Sequence, residues 1–197
     1  FDGGDGRWYY LVAGRWFRAA SLDGPWSFAN DDLPQAFKNL PADGKKARAL
    51  YSVPGTPQAQ EAVMVANIPQ TATVSRKEAQ AQVVYQGEPS FQPIPGTAGL
   101  AYAVNAQPAV IRFGPTAYYV VDRGVWFTAP APTGPWAVAT SVPPELYAIP
   151  PAAPVYNYTY VTVESASDDE VVSSFTAGYL GGFVTAGLLY WGTGYYY

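Results

Sequence analysis

Three observations predict an all-β fold of repeated aromatic β-hairpin units, forming small sheets or a sandwich-like stack, with one short helix. One aromatic pattern is written twice: Trp8-Tyr9-Tyr10-Leu11-Val12-Ala13-Gly14-Arg15-Trp16-Phe17 leads to Gly24-Pro25-Trp26, and Tyr118-Tyr119-Val120-Val121-Asp122-Arg123-Gly124-Val125-Trp126-Phe127 leads to Gly134-Pro135-Trp136. The 197 residues are 49% hydrophobic and 16% aromatic but 13% charged, about half the usual share of charge. Finally, 19 glycines and 19 prolines punctuate the chain, as short strands joined by tight turns require. Each copy of such a repeat is one supersecondary unit that buries its apolar face against its neighbours.

In the first hairpin a two-residue Ala13-Gly14 turn pairs Val12 with Arg15, Leu11 with Trp16 and Tyr10 with Phe17. In the second, the sequence predicts a three-residue loop, Asp122-Arg123-Gly124, with a left-handed glycine and a bulge. That loop pairs Val121 with Val125, Val120 with Trp126 and Tyr119 with Phe127. Trp16 and Trp126 then share one face with Leu11 and Val120, while Phe17 and Phe127 share the other with Tyr10 and Tyr119. Cross-strand pairs of this kind contribute about 0.2–1 kcal/mol each. Because both faces carry large apolar groups, each hairpin needs cover on both sides. Both copies continue into proline-punctuated segments, Leu33-Pro34, Phe37 and Leu40-Pro41 against Pro143-Pro144, Leu146 and Ile149-Pro150. Such segments run over a sheet surface or along its edges.

The chain divides into four stretches. Residues 1–43 form a first, incomplete hairpin unit. Residues 44–86 are an interlude in which Thr56-Pro57 caps a helix over Gln58–Ala66, with Ala59, Ala62, Val63 and Ala66 on one stripe. Ala72–Val74 and Gln82–Tyr85 read as strands around a solvated turn at Arg76-Lys77-Glu78. Residues 87–151 form a complete second unit, with strands over Leu100–Val104 and Ala109–Phe113 ahead of its hairpin, and the first unit has no counterpart to these. Residues 152–197 are a β-rich aromatic and glycine tail. Its Tyr156–Val163 alternates as a strand, Asp168-Asp169-Glu170 makes an acidic turn, and Phe183-Val184 and Leu188-Leu189-Tyr190 flank Thr185-Ala186-Gly187. No residue from Val171 to Tyr197 is charged, but the glycines interrupt the run, so no membrane span is expected. The start at Phe1, without an initiator methionine or signal-like region, implies a processed or truncated N-terminus.

Composition narrows the chemistry. A net charge of −4 with 11 Lys and Arg argues against nucleic acid as a partner. With no cysteine and no histidine, most acid–base, nucleophilic and zinc sites lack their usual residues. The paired carboxylates Asp31-Asp32 and Asp168-Asp169-Glu170 read as solvated turns, and Asp2-Gly3-Gly4-Asp5-Gly6 reads as a turn and not a calcium loop. No phosphate-loop, dinucleotide or Gly-x-Ser-x-Gly pattern is present. No enzyme activity, cofactor or metal is therefore expected.

The Tyr-Tyr-x-Val, Gly-x-Trp-Phe and Gly-Pro-Trp runs, the Pro93-Ile94-Pro95-Gly96-Thr97 opening with Tyr102-Ala103-Val104-Asn105, Ile68-Pro69-Gln70-Thr71-Ala72-Thr73-Val74 and the terminal Gly192-Thr193-Gly194-Tyr195-Tyr196-Tyr197 carry a resemblance. The chain resembles a group of large, uncharacterised bacterial envelope or secreted proteins that repeat such units after a signal peptide, some loosely labelled carbohydrate-binding. That resemblance covers nearly the whole chain and implies an extracellular or outer-surface location within a longer precursor. It implies no activity.

Two uses of the aromatics follow. In the first, the chain is a structural or adhesive subunit assembling with copies of itself: a sheet edge left unpaired beside Trp8, Tyr10 and Val12 receives C-terminal strands carrying Tyr158, Tyr160, Leu188, Tyr190 and Tyr195 from the next subunit, as in strand complementation. Such a heterologous contact grows into a filament unless it closes. In the second, Trp16, Trp26, Trp126 and Trp136, with Trp8, Tyr9, Arg18 and Tyr118 as neighbours, stack on a polysaccharide.

Overall fold

The structure, a computed structural model, describes residues 1–192. In chain order it contains β1 (Trp8–Val12), β2 (Arg15–Ala19), β3 (Ser27–Phe28), α1 (Pro57–Ala66), β4 (Gln70–Ser75), β5 (Val84–Tyr85), β6 (Phe91–Pro93), β7 (Leu100–Ala103) and β8 (Ala106–Gln107). There follow β9 (Ile111–Phe113), β10 (Ala117–Asp122), β11 (Val125–Ala129), β12 (Ala137–Val138), α2 (Pro144–Tyr147), β13 (Val161–Ala166), β14 (Glu170–Phe175), β15 (Gly182–Thr185) and β16 (Leu188–Trp191). The fold is all-β, as the sequence predicts, in several small antiparallel sheets. Strand exceeds helix only twofold, 34% against 17%, because short 3₁₀ turns carry much of the chain after each hairpin. The described residues form two compact units, 1–68 with 181–192, and 69–180.

In the first unit β1, β2 and β3 make an antiparallel sheet with the pairings the sequence gives: Val12 with Arg15, Leu11 with Trp16, Tyr10 with Phe17. Alternation along β1 and β2 sends Tyr9 and Trp16 into a core with Ala29, Phe37, Ala49 and Val53. Trp16 and Phe37 lie 5.1 Å apart, as do Tyr9 and Phe37. The expected helix forms as α1, capped by Thr56 Oγ1 accepting from Ala59 N at 3.2 Å. It buries Ala59 against Leu188 and Tyr190 of the β15–β16 hairpin.

In the second unit six strands run in the order β12-β11-β10-β9-β7-β6. One face holds Ile111, Val121, Trp126, Leu146, Tyr158 and Val161, and the other holds Val110, Val120, Val125, Phe127 and Val138. The sheet β13-β14-β4 completes the unit. Its contacts include Ser173 Oγ donating to Gly124 O at 2.7 Å.

The two copies correspond more closely than the sequence reading allows. The second turn is not a three-residue bulged loop. It is a two-residue Arg123-Gly124 turn with φ of 51° and 76°, matching Ala13-Gly14 at 50° and 82°. Positive φ at both central positions suits the twist of the flanking strands. Asp122 therefore pairs with Val125, Val121 with Trp126 and Val120 with Phe127. Val120 belongs to the Phe127 face and Tyr119 to the Trp126 face, the reverse of the expectation. At one constant spacing Tyr9 matches Tyr119, Leu11 matches Val121, Trp16 matches Trp126, and Gly24-Pro25-Trp26 matches Gly134-Pro135-Trp136. The same spacing lays Phe1, paired to Tyr9 through Tyr9 N donating to Phe1 O at 2.8 Å, on Ile111, which pairs with Tyr119.

The match extends past the hairpins. Ala29 N donates to Trp16 O, and Ala139 N to Trp126 O, both at 2.9 Å. The indole Nε1 of Trp16 donates to Ser52 O at 2.8 Å and that of Trp126 to Val161 O at 2.7 Å. Each acceptor closes a 3₁₀ turn, Ala47–Ser52 in one copy and Tyr156–Tyr160 in the other. Tyr156–Val163 is thus not one long strand. The strand begins at Val161, because the turn before it carries Tyr158 into the core and sets the carbonyl that receives the Trp126 indole. A further departure is α2, a four-residue helix after Pro143 where an extended segment is expected.

Candidate functional site

Trp8, Tyr10 and Val12 lie on the β1 face opposite Tyr9, so they point away from the Trp16 core. Tyr10 pairs with Phe17 and Phe17 with Phe28, which puts those rings on the same face. The Tyr10 and Trp26 rings are 6.0 Å apart and the Phe17 and Phe28 rings 6.1 Å. Exposure is 37% for Trp8, 58% for Tyr10, 44% for Val12, 38% for Trp26 and 47% for Phe28. Large apolar side chains exposed together on one sheet face mark a contact surface more than scattered ones do. At the turn end Arg15 stacks its guanidinium over Phe183 and Tyr190, 5.3 and 5.5 Å from their ring centres.

The matching face of the second unit is covered. Val120 is 0%, Phe127 2%, Val138 4% and Val125 8% exposed. Ala79, Ala81, Val83, Tyr85, Phe91 and Ala106 pack against that cluster. Polar bonds hold the cover along the face: Arg123 Nη2 donates to Gln80 O at 3.1 Å, Gln82 N to Asp122 Oδ2 at 3.4 Å, and Tyr85 Oη to Pro132 O at 2.9 Å. Burial pushes the Tyr85 phenol up to about 12, with Tyr118 adding to it.

The sequence-predicted residues fall in different places. Trp8, Tyr10 and Val12 line the exposed face. The edge of β1 beside them is half filled by the chain itself, through Tyr9 N to Phe1 O and Gly3 N to Arg7 O at 3.0 Å. Among the described residues no strand pairs with that side past Tyr9. Tyr158 lies in the 3₁₀ turn and not in a strand: it is 5% exposed, and its hydroxyl donates to Ala109 O at 2.9 Å. Tyr160 sits in the 3₁₀ turn with its ring 5.5 Å from that of Tyr156. Leu188 and Tyr190 are buried within the first unit of their own chain, and Tyr195 lies outside the described residues. Trp16 and Trp126 are fully buried with their indole N–H groups bonded, so neither offers a ring face to a sugar. Trp26 is exposed and Trp136 half-buried.

Several acidic groups are engaged by their own surroundings. Asp32 pairs with Arg18, and Asp169 with Lys77 at 2.6 Å. Asp2 Oδ1 accepts from Gly4 N at 2.9 Å. Desolvation works to raise the Asp5 carboxyl, but the Tyr9 hydroxyl at 2.9 Å and the Arg7 amide at 3.1 Å outweigh it and hold it below the usual range. The Ser174 and Thr162 hydroxyls likewise hold Glu164 low. Among the described residues no three acidic groups gather to hold a metal ion. A groove of 390 Å³ in the second unit, between Pro108, Val121, Asn157 and Tyr179, carries no charged side chain. No helix among the described residues is long and apolar enough to cross a membrane.

Sequence reasoning missed Asn30. It is 1% exposed, accepts from Trp16 N at 2.6 Å, and donates to Gly14 O at 3.4 Å and Tyr190 Oη at 3.0 Å. It ties the turn of the first hairpin to the last strand, a contact between positions too distant in sequence for a local pattern to reveal. No protein-family model matches the chain, and no curated protein or solved structure matches it significantly.

Proposed function

We propose that the protein is a non-enzymatic structural or adhesive subunit of the bacterial cell exterior, which assembles with copies of itself by strand complementation. One observation carries the reading: the last described strands of the chain complete the unit built by its first sixty-eight residues, after the chain has built a separate unit in between. Trp191 N donates to Ala13 O at 3.0 Å, Arg15 to Trp191 O, and Asn30 to Tyr190 Oη. A hairpin held by such contacts can make the same ones to its own chain or to another copy. Exchange between copies is a low-cost route to association. The donor differs from the sequence expectation in being the whole β15–β16 hairpin, and its acceptor is the turn and α1 side of the first unit. Exchange in one direction links each copy to the next and extends into a filament unless it closes into a ring or a reciprocal dimer.

Refolding at rising protein concentration, followed by light scattering and electron microscopy, tests this. Polymers that grow with concentration and vanish when residues 181–197 are deleted are the expected result. A chain that stays monomeric at every concentration, or a deletion that leaves the same polymers, refutes the reading.

The second reading, a carbohydrate-binding surface, is favoured by one feature: Trp8, Tyr10 and Trp26 stand exposed on one face. It now rests on these and Trp136, without Trp16 and Trp126. Retention on insoluble polysaccharide that is lost in Trp26→Ala decides for it.

A further inference from the structure

The two copies share one hairpin architecture but differ in what lies over it. In the second unit a single stretch, residues 79–110, does two things. Its β7 pairs with β9 and its β6 with β7, extending the sheet edge, while Ala79, Ala81, Val83 and Tyr85 lie over the face of Val120 and Phe127. In the first unit the counterpart of β9 is present as Phe1–Gly3: Phe1 bonds Tyr9, Asp2 bridges Trp8 and Gly3 bonds Arg7. Its far side has no strand partner among the described residues, and the face of Trp8, Tyr10 and Phe28 is exposed. In the second unit one continuous segment fills both the corresponding edge and the corresponding face.

We infer that the β1-β2-β3 face with the Phe1–Gly3 edge is a docking site for a polypeptide segment patterned like residues 79–110, contributed by a repeat unit of this type. The segment adds strands to the edge through main-chain hydrogen bonds and lays small and β-branched side chains over the aromatic rings. Its chemistry is more apolar than that of the cover in the second unit. Val12 and Ala13 stand where Asp122 and Arg123 bind the cover, so two of its three polar anchors are absent, while the main-chain carbonyl of Leu22 remains where Pro132 O accepts Tyr85. The wider rings of Tyr10 and Phe28, in place of Val120 and Val138, supply the extra apolar area. The inference deepens the structural reading and rests on it in taking this face to bind protein.

The test places a second copy of residues 79–110 directly before Phe1 of the full chain, so that Val110 precedes Phe1 as it precedes Ile111. A chain with the same extension in scrambled order is the control. Docking slows amide exchange at Phe1–Gly3 and Leu11 by about tenfold or more and lowers acrylamide quenching of tryptophan emission, relative to the control. Equal exchange and quenching in the two extended chains overturn the inference. So does retention of the unextended chain on polysaccharide that is lost in Tyr10→Ala and unaffected by the ordered extension, because the face then serves a sugar. Light scattering on the same unextended protein reads self-assembly separately, so a monomeric protein that accepts the extension sinks the assembly reading and leaves this one standing.

Discussion

Replacing Trp126 with alanine is the sharpest test of the aromatic core. The side chain is fully buried, lies 5.8 Å from the Tyr158 ring and 6.4 Å from those of Tyr119 and Tyr147, and donates its indole N–H to Val161 O at 2.7 Å. Removing a buried tryptophan costs about 3–5 kcal/mol, for lost transfer free energy and for the cavity left behind. Trp126→Phe separates the terms: it keeps an aromatic ring but leaves Val161 O without its donor, at about 1–3 kcal/mol. Trp16→Ala should behave as Trp126→Ala does, since Trp16 is equally buried and bonded to Ser52 O. Trp26→Ala, at 38% exposure, should cost less than about 1 kcal/mol. Guanidinium denaturation followed by far-UV circular dichroism measures all four without relying on tryptophan emission. A Trp126→Ala loss below about 1 kcal/mol, or one equal to that of Trp26→Ala, refutes the assignment of these rings to the core.

Three further outcomes are expected. Gly124→Ala should destabilise by about 1–3 kcal/mol, since φ is 76° and a Cβ would meet the Phe175 ring at 2.5 Å; Gly87→Ala, at φ 81° with open space around it, should lose only the backbone part. Asn30→Ala should cost about 1–3 kcal/mol, by stranding the amide and carbonyl it satisfies, and should speed hydrogen exchange in β15 and β16. Burial raises the Tyr158 phenol, and Tyr85 is pushed up to about 12. With unfolded values near about 10, their contribution is fully present below that pH and is lost as pH rises through the folded values. Thermal melts should therefore fall steeply above about pH 10, and less so in Tyr158→Phe.

The first hairpin is legible residue by residue because Ala13-Gly14 admits one turn, and its register follows. The second misled because Asp122 is itself a turn former and because aligning the Tyr-Tyr pairs matches Tyr119 to Tyr10. Aligning the Trp-Phe pairs matches Tyr119 to Tyr9, and that spacing is the one both sheets use. Tyr156–Tyr160 has the composition of a strand, yet packing overrides it, since a 3₁₀ turn is what delivers Tyr158 to the core. That each hairpin carries apolar groups on both faces is readable from the alternation. Which face lacks cover is not, because the cover of the second unit lies some forty residues before its hairpin, and the partner of the C-terminal hairpin lies near the other end of the chain.

The pattern of difference between the copies has a physical logic. Residues facing the tryptophan core are alike: Tyr9 and Tyr119, Leu11 and Val121, Trp16 and Trp126, Ala29 and Ala139. Residues on the opposite face are not: Tyr10 stands for Val120, Arg15 for Val125 and Phe28 for Val138. The indole-to-carbonyl bond and the 3₁₀ turn behind it exist in both units, so the same shapes must fit there. On the far face the covered copy uses β-branched aliphatic residues that pack closely under a strand-and-loop layer, whereas the exposed copy uses rings and an arginine that tolerate water at one end. A face built only to remain in water would gain nothing from Trp8, Tyr10, Trp26 and Phe28 standing together, and one permanently covered within the same unit would not need the hydroxyl of Tyr10; Arg15 instead serves the β15–β16 hairpin of its own unit. The mixture fits a surface that is wet in the free unit and apolar enough to be covered when a partner segment arrives.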